Sequence, residues 1–178
     1  MTARSDATEV PVGSAQDAPA NDVVRLYQEG MVAGVIGAAT VAVWFLVLDA
    51  IRGQPLWTPT VLGTALFRRG AGLADPATLP VSLEMVAMFT WVHGLVFAAL
   101  GGIAARLLGL ADRNPNFGFG ILLLFVVFQF GFTAAAMLFA APVLQALTWP
   151  AILAANLLAT AAMALYFHVR HPRLVVDP

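Results

Sequence analysis

Long uncharged runs alternate with short polar connections along the chain. Met31–Leu48 holds 18 residues without a charge, Met85–Ala105 holds 21 and Phe117–Ala141 holds 25. Thr148–Phe167 is a fourth such run. About 20 predominantly apolar residues suffice for an α-helix to cross the hydrocarbon core of a bilayer. The pattern therefore predicts spans over about 30–51, 85–105, 117–141 and 148–167. The expected fold is an all-α membrane protein, an up-and-down four-helix transmembrane bundle within residues 30–171.

The connections are unequal. Met1–Glu29 carries Arg4 and Arg25 against five acids, and Pro11, Gly13 and Pro19 interrupt it. It reads as a disordered polar tail, since it has little apolar area to offset its ordering entropy. Asn21–Gln28 is the stretch of it able to start a short interfacial helix. The order of parts is not that of a secretory signal. Between spans 1 and 2, Thr58-Pro59 reads as an N-cap followed by proline in a first helical turn. A helix over about 59–69 follows, with Val61, Leu62, Ala65 and Leu66 as its apolar stripe and Arg68 and Arg69 at its end. With Trp57 at its start it is expected to lie on the bilayer surface, being too short to cross. Residues 107–116 and 142–147 read as turns, and 172–178 as a C-terminal tail.

Composition strengthens the membrane reading. Hydrophobic residues make up 60% of the 178-residue chain and charged residues 11%, against roughly a quarter charged in a soluble domain. The net charge of −1 offers no footprint for nucleic acid. There is no cysteine, which removes disulfides, thiolate metal sites and cysteine nucleophiles. All nine cationic residues are arginine, so lysine Schiff-base and P-loop chemistry is absent. Arg4, Arg25, Arg106, Arg113, Arg170 and Arg173 would share one side, and Arg52, Arg68 and Arg69 the other. The side richer in arginine is expected to be cytoplasmic, which puts both termini inside.

Few polar groups remain at membrane depth, where they are costly and usually face the bundle interior. They are His93 with Thr90 on span 2, Gln129 with Thr133 on span 3, and Asn156 with Thr160 on span 4. At 1.5 Å per residue, His93, Asn156 and Thr133 should share a level roughly 12–13 Å below the outer ends of their spans. Gln129 should lie about one turn deeper. Such a layer can be interhelical hydrogen bonding at about 0.6 kcal/mol per bond. It can also be a ligand or proton site, since neutral imidazole is a common metal or haem ligand. No second histidine shares this depth, so a haem would need His93 from two copies of the chain.

Three further features border the spans. Gly30, Gly34, Ala38 and Ala42 recur every four residues, a ladder that admits a closely packed helix from this bundle or from a second copy. Asp49 and Arg52 stand at i,i+3 and can pair at the outer edge of span 1, beside Trp57. His168 and His171 form a basic interfacial end. No Gly-x-Ser-x-Gly, His-Glu-x-x-His or phosphate loop occurs, and no cofactor or metal is indicated.

The run Leu48-Asp49-Ala50-Ile51-Arg52-Gly53-Gln54-Pro55-Leu56-Trp57-Thr58-Pro59, followed by Leu62-Gly63 and Leu66-Phe67, resembles a family of small uncharacterised bacterial membrane proteins with four transmembrane helices. The resemblance is one of pattern over residues 30–170. It implies a bacterial inner-membrane protein and brings no activity, cofactor or catalytic residue with it. The functional expectation is a structural or accessory component of a membrane assembly, not an enzyme. Its partners would be the lipid bilayer and either a second copy or other membrane subunits. A small oligomeric carrier or channel, and a haem-, metal- or proton-handling protein centred on His93, are the alternatives.

Overall fold

The computed structural model describes residues 17–69, 71–111, 126, 130–131 and 148–170. The elements within them are helical: α1 (Asp17–Ile51), α2 (Trp57–Phe67), a 3₁₀ turn (Pro76–Thr78), α3 (Leu83–Ala111) and α4 (Trp149–Arg170). Three of the helices are long and apolar enough to cross a membrane, over Val24–Ile51, Leu83–Arg106 and Trp149–Arg170. The expected span over 117–141, apart from residues 126, 130 and 131, lies outside the described residues, Gln129 and Thr133 included, as do the chain before Asp17 and the chain after Arg170.

Two of the long helices run past their expected boundaries. α1 takes in Asn21–Glu29 as one continuous helix of 35 residues. That is about 52 Å at 1.5 Å per residue, well beyond a hydrocarbon core of about 30 Å. Pro19 stands in the first turn, where a missing N–H breaks no helical bond, and nothing after it stops the helix before Gly30. α3 likewise continues to Ala111, through residues expected to turn. Leu107-Leu108-Gly109-Leu110-Ala111 contains no proline, and the first is Pro115.

α1 is the central helix, with α3 and α4 both packed along it. The small-residue ladder serves α3. A Cβ on Gly34 would overlap the carbonyl of Phe97 and lie 2.9 Å from the Cα of Ala98. A Cβ on Gly101 would overlap the carbonyl of Gly30 and lie 2.7 Å from the Gly34 nitrogen. These are backbone-to-backbone contacts that only glycine permits, so Gly30 and Gly34 meet a helix of the same chain. α1 and α3 run antiparallel: Gly30 meets Gly101 and Ala105, Gly34 meets Phe97, and Ala38 meets His93. α4 is antiparallel to α1 as well. Trp44 Nε1 donates to the carbonyl of Ala151 at 3.0 Å, and Gly37 lies between Met163 of α4 and Phe97 of α3.

The chain leaves α1 through Gly53, whose φ of 74° lies in the left-handed region that glycine adopts freely. Leu56 takes the same region, with φ 68°, immediately before α2. α2 starts two residues earlier than expected, and its N-cap position is Leu56 and not Thr58. Nor does it rest on a surface by one stripe. Trp57, Thr58, Thr60, Val61, Gly63, Thr64 and Ala65 are all buried. Gly63 packs on the backbone of Met85 in α3, where a Cβ would lie 2.5 Å from the carbonyl oxygen. The polar residues of α2 face protein, and this is why a stripe of Val61, Leu62, Ala65 and Leu66 misjudged its inward face. Ser82 begins α3, its hydroxyl accepting the Met85 N–H at 3.4 Å.

Candidate functional site

The expected site residues that the structure describes centre on two loci. The first is the joint between α1 and α2. The carboxylate of Asp49 is fully buried. One of its oxygens accepts the backbone N–H of Thr58 and the other the Thr58 hydroxyl, each at 2.7 Å. Thr58 is the second residue of α2, so its N–H is one of the four a helix start leaves without an internal partner. Asp49 supplies that partner from another helix, and its negative charge stands where the α2 dipole favours it. The chain can do this because Gly53 reverses it. The Gln54 N–H bonds back to the Asp49 carbonyl at 2.9 Å, and the Trp57 N–H to the Gln54 carbonyl at 3.1 Å.

Arg52 does not share in this joint. It is exposed, while the Asp49 carboxylate turns inward to Thr58. The i,i+3 spacing permits the Asp49–Arg52 pair, but the buried N–H and hydroxyl of Thr58 are the donors the carboxylate reaches. Trp57 is buried beside them, its indole N–H donating to the Pro76 carbonyl at 2.9 Å. Thr60 extends the network by donating to the Leu56 carbonyl at 2.8 Å and accepting the Ser82 N–H at 3.3 Å. A groove of about 600 Å³ opens between the Gly53–Trp57 turn and residues 77–81.

The second locus is His93. Its Nε2 lies 3.3 Å from the carbonyl oxygen of Ala38 in α1. A carbonyl only accepts, so it is Nε2 that donates in this bond. Phe89 and Phe97, one turn away on either side, hold the ring at centroid distances of 5.5 and 4.6 Å. Thr90 is exposed on α3. Asn156 and Thr160 are buried on α4, where the Thr160 hydroxyl donates to the Asn156 carbonyl at 2.7 Å. Gln129 and Thr133 lie outside the described residues. Among the described residues, no three His, Asp or Glu side chains come close enough to hold a metal ion.

The chain matches no family model, no curated protein and no solved structure.

Sequence reasoning missed two connections at the opposite end of the bundle. Arg25 pairs with Glu29 at 3.4 Å, and the glutamate is buried. Arg106 donates to the Tyr27 hydroxyl at 2.6 Å, tying α3 to α1. The first had a legible signal, an i,i+4 spacing of opposite charges. The second had none, because Tyr27 and Arg106 are 79 residues apart. Thr58 was legible in part. Nine residues separate it from Asp49 across a Gly-Gln-Pro turn, but its reading as a cap assigned its bonds to itself.

Proposed function

We propose that the chain is an integral membrane protein with a structural or accessory role in a membrane assembly, rather than an enzyme. The observation that carries this reading is the division of its surface. Polar side chains inside are spent on one another and on the backbone: Asp49 on Thr58, His93 on Ala38, Trp44 on Ala151 and Thr160 on its own helix. Large apolar side chains face outward along the same helices, among them Trp91, Leu95, Val96 and Ile103 on α3. Contiguous apolar area of this kind marks a lipid- or protein-facing surface. The engagement of His93 Nε2 and both flanking rings lends less support to a haem-, metal- or proton-handling site there.

The same proposal includes the fourth span. α3 ends, and α4 ends, at the Tyr27 end of α1, whereas α4 begins at the Trp44 end. In this reading Phe117–Ala141 supplies the return crossing between the two ends, being the apolar stretch available. Its 25 residues would cover about 37 Å as a helix. Four crossings leave both termini on one side, and the arginine balance favours the cytoplasmic side of a bacterial inner membrane.

The test is purification of the tagged chain from its native membrane in mild detergent. Other membrane subunits are expected to accompany it in fixed stoichiometry. A chain that runs alone and carries solute flux in liposomes would overturn the proposal in favour of a carrier.

A further inference from the structure

A second groove, of about 520 Å³, lies between the beginning of α1 and the end of α4. Val24, Arg25, Gln28, Glu29, Tyr166 and Arg170 line it, with Val32 further along α1. Its position is set by the two apolar spans that meet there. Val24 begins one and Arg170 ends the other, so in the membrane reading the groove opens where the spans leave the hydrocarbon for the headgroups. Its walls change character across that level. Val24 and Val32 are exposed apolar side chains on α1. The two guanidinium groups of Arg25 and Arg170 belong to exposed residues at the polar end.

We propose that this groove binds a phospholipid through its anionic phosphodiester headgroup. Among the described residues that line it, two arginines and one glutamate sum to a formal charge of +1, which complements the single negative charge of such a headgroup. Glu29 is buried and meets Arg25 at Nε at 3.4 Å, so the ion pair ties the exposed guanidinium to the wall of the groove. Planar guanidinium groups suit phosphate oxygens because they donate in a fixed fork. The Tyr166 side chain and the Gln28 amide add neutral hydrogen-bonding groups beside them. Exposed Val24 and Val32 offer an acyl chain an apolar path towards the bilayer core. Basic pockets between transmembrane helices on the cytoplasmic side are where anionic headgroups are recognised.

This inference rests on the membrane reading, and the experiment separates the two. Membranes containing the full chain are first washed with alkaline carbonate; release of the protein would overturn the membrane reading and this proposal together. The full chain, purified in dodecylmaltoside, is then titrated with dioleoylphosphatidylglycerol or dioleoylphosphatidylcholine and the bound lipids are counted by native mass spectrometry. The expected result is one phosphatidylglycerol retained in preference to phosphatidylcholine. Arg170→Gln, which breaks no ion pair among the described residues, should weaken that binding about fivefold. Arg25→Lys keeps a partner for Glu29 and should weaken it by a smaller factor, whereas Arg52→Gln at the opposite end should leave it unchanged. Equal retention of both lipids would overturn the proposal with the membrane reading intact. So would indifference to Arg170→Gln, or displacement of the lipid by equimolar inorganic phosphate, which would indicate a site for the free anion.

Discussion

The carboxylate of Asp49 grips Thr58 by two donors at once, the backbone N–H and the hydroxyl, both at 2.7 Å. One side chain at the end of α1 thereby fixes the start of α2. A buried carboxylate is expensive to leave without donors, so the two residues depend on each other. Thr58→Val keeps the shape and removes the hydroxyl donor. A charge-assisted bond contributes about 1.5–3 kcal/mol, and the variant should lose stability in that range. Thr58→Ser should retain most of it. Thermal unfolding of both variants in detergent measures this, and a Thr58→Val protein as stable as the parent would show that the joint is dispensable.

The contact of α1 with α3 yields a sharper contrast between neighbours. A Cβ on Gly101 would overlap the Gly30 carbonyl, whereas one on Gly102 would meet, among the described residues, only the Tyr27 ring, at 3.6 Å. Gly101→Ala should therefore force two backbones apart, at about 1–3 kcal/mol. Gly102→Ala should be neutral or gain up to about 1 kcal/mol from helix propensity. Equal melting temperatures for the two variants would mean that the helices do not approach this closely.

How much of this was legible in the sequence depends on the range of each interaction. The long apolar helices over Met31–Leu48, Met85–Ala105 and Thr148–Phe167 could be read because an uncharged run of that length has few other uses. The Gly30–Gly34 ladder announced close packing but not its partner, since a small-residue face looks the same towards α3 as towards a second copy. The burial of α2 was hidden for a related reason. Thr58 and Thr60 look solvent-facing until Asp49, Leu56 and Ser82 are known to stand opposite their polar atoms. Asp49 looked like a partner for Arg52 because three residues is a short distance and the path to Thr58 passes through a turn whose direction Gly53 sets. The extension of α1 back to Asp17 was missed because Pro19 was read as an interruption, although a proline in the first turn breaks no helical bond, and that of α3 to Ala111 because the turn was drawn from Leu107, well ahead of Pro115.

For His93 the proton is assigned to Nε2 by the Ala38 carbonyl. Nitrogen-15 spectra of imidazole-labelled protein at neutral pH should show the Nε2–H tautomer for this ring. His93→Phe keeps an aromatic ring between Phe89 and Phe97 and gives up the bond. The loss should be modest, about 0.6 kcal/mol and at most about 1.7, as for other interhelical hydrogen bonds in membranes. Co-purification of partner subunits should survive the change. Loss of a visible absorption band or of a bound metal in this variant would instead move the functional site to His93.

The threading can be tested with unusual economy, because the chain has no cysteine and any introduced thiol is the only one. Ala77 and Thr148 are exposed near the Asp49 end of the bundle, and Arg106 and Arg170 near the Tyr27 end. A membrane-impermeant maleimide added to intact cells should label Ala77→Cys and Thr148→Cys, and reach Arg106→Cys and Arg170→Cys only after the membrane is opened. Arg106 and Thr148 are the informative pair. Opposite accessibility means that the chain between them crosses the membrane once or an odd number of times, for which residues 117–141 are the available stretch. Equal accessibility would mean that this stretch returns to the side it left, and that the protein has three spans or a re-entrant segment in place of the fourth.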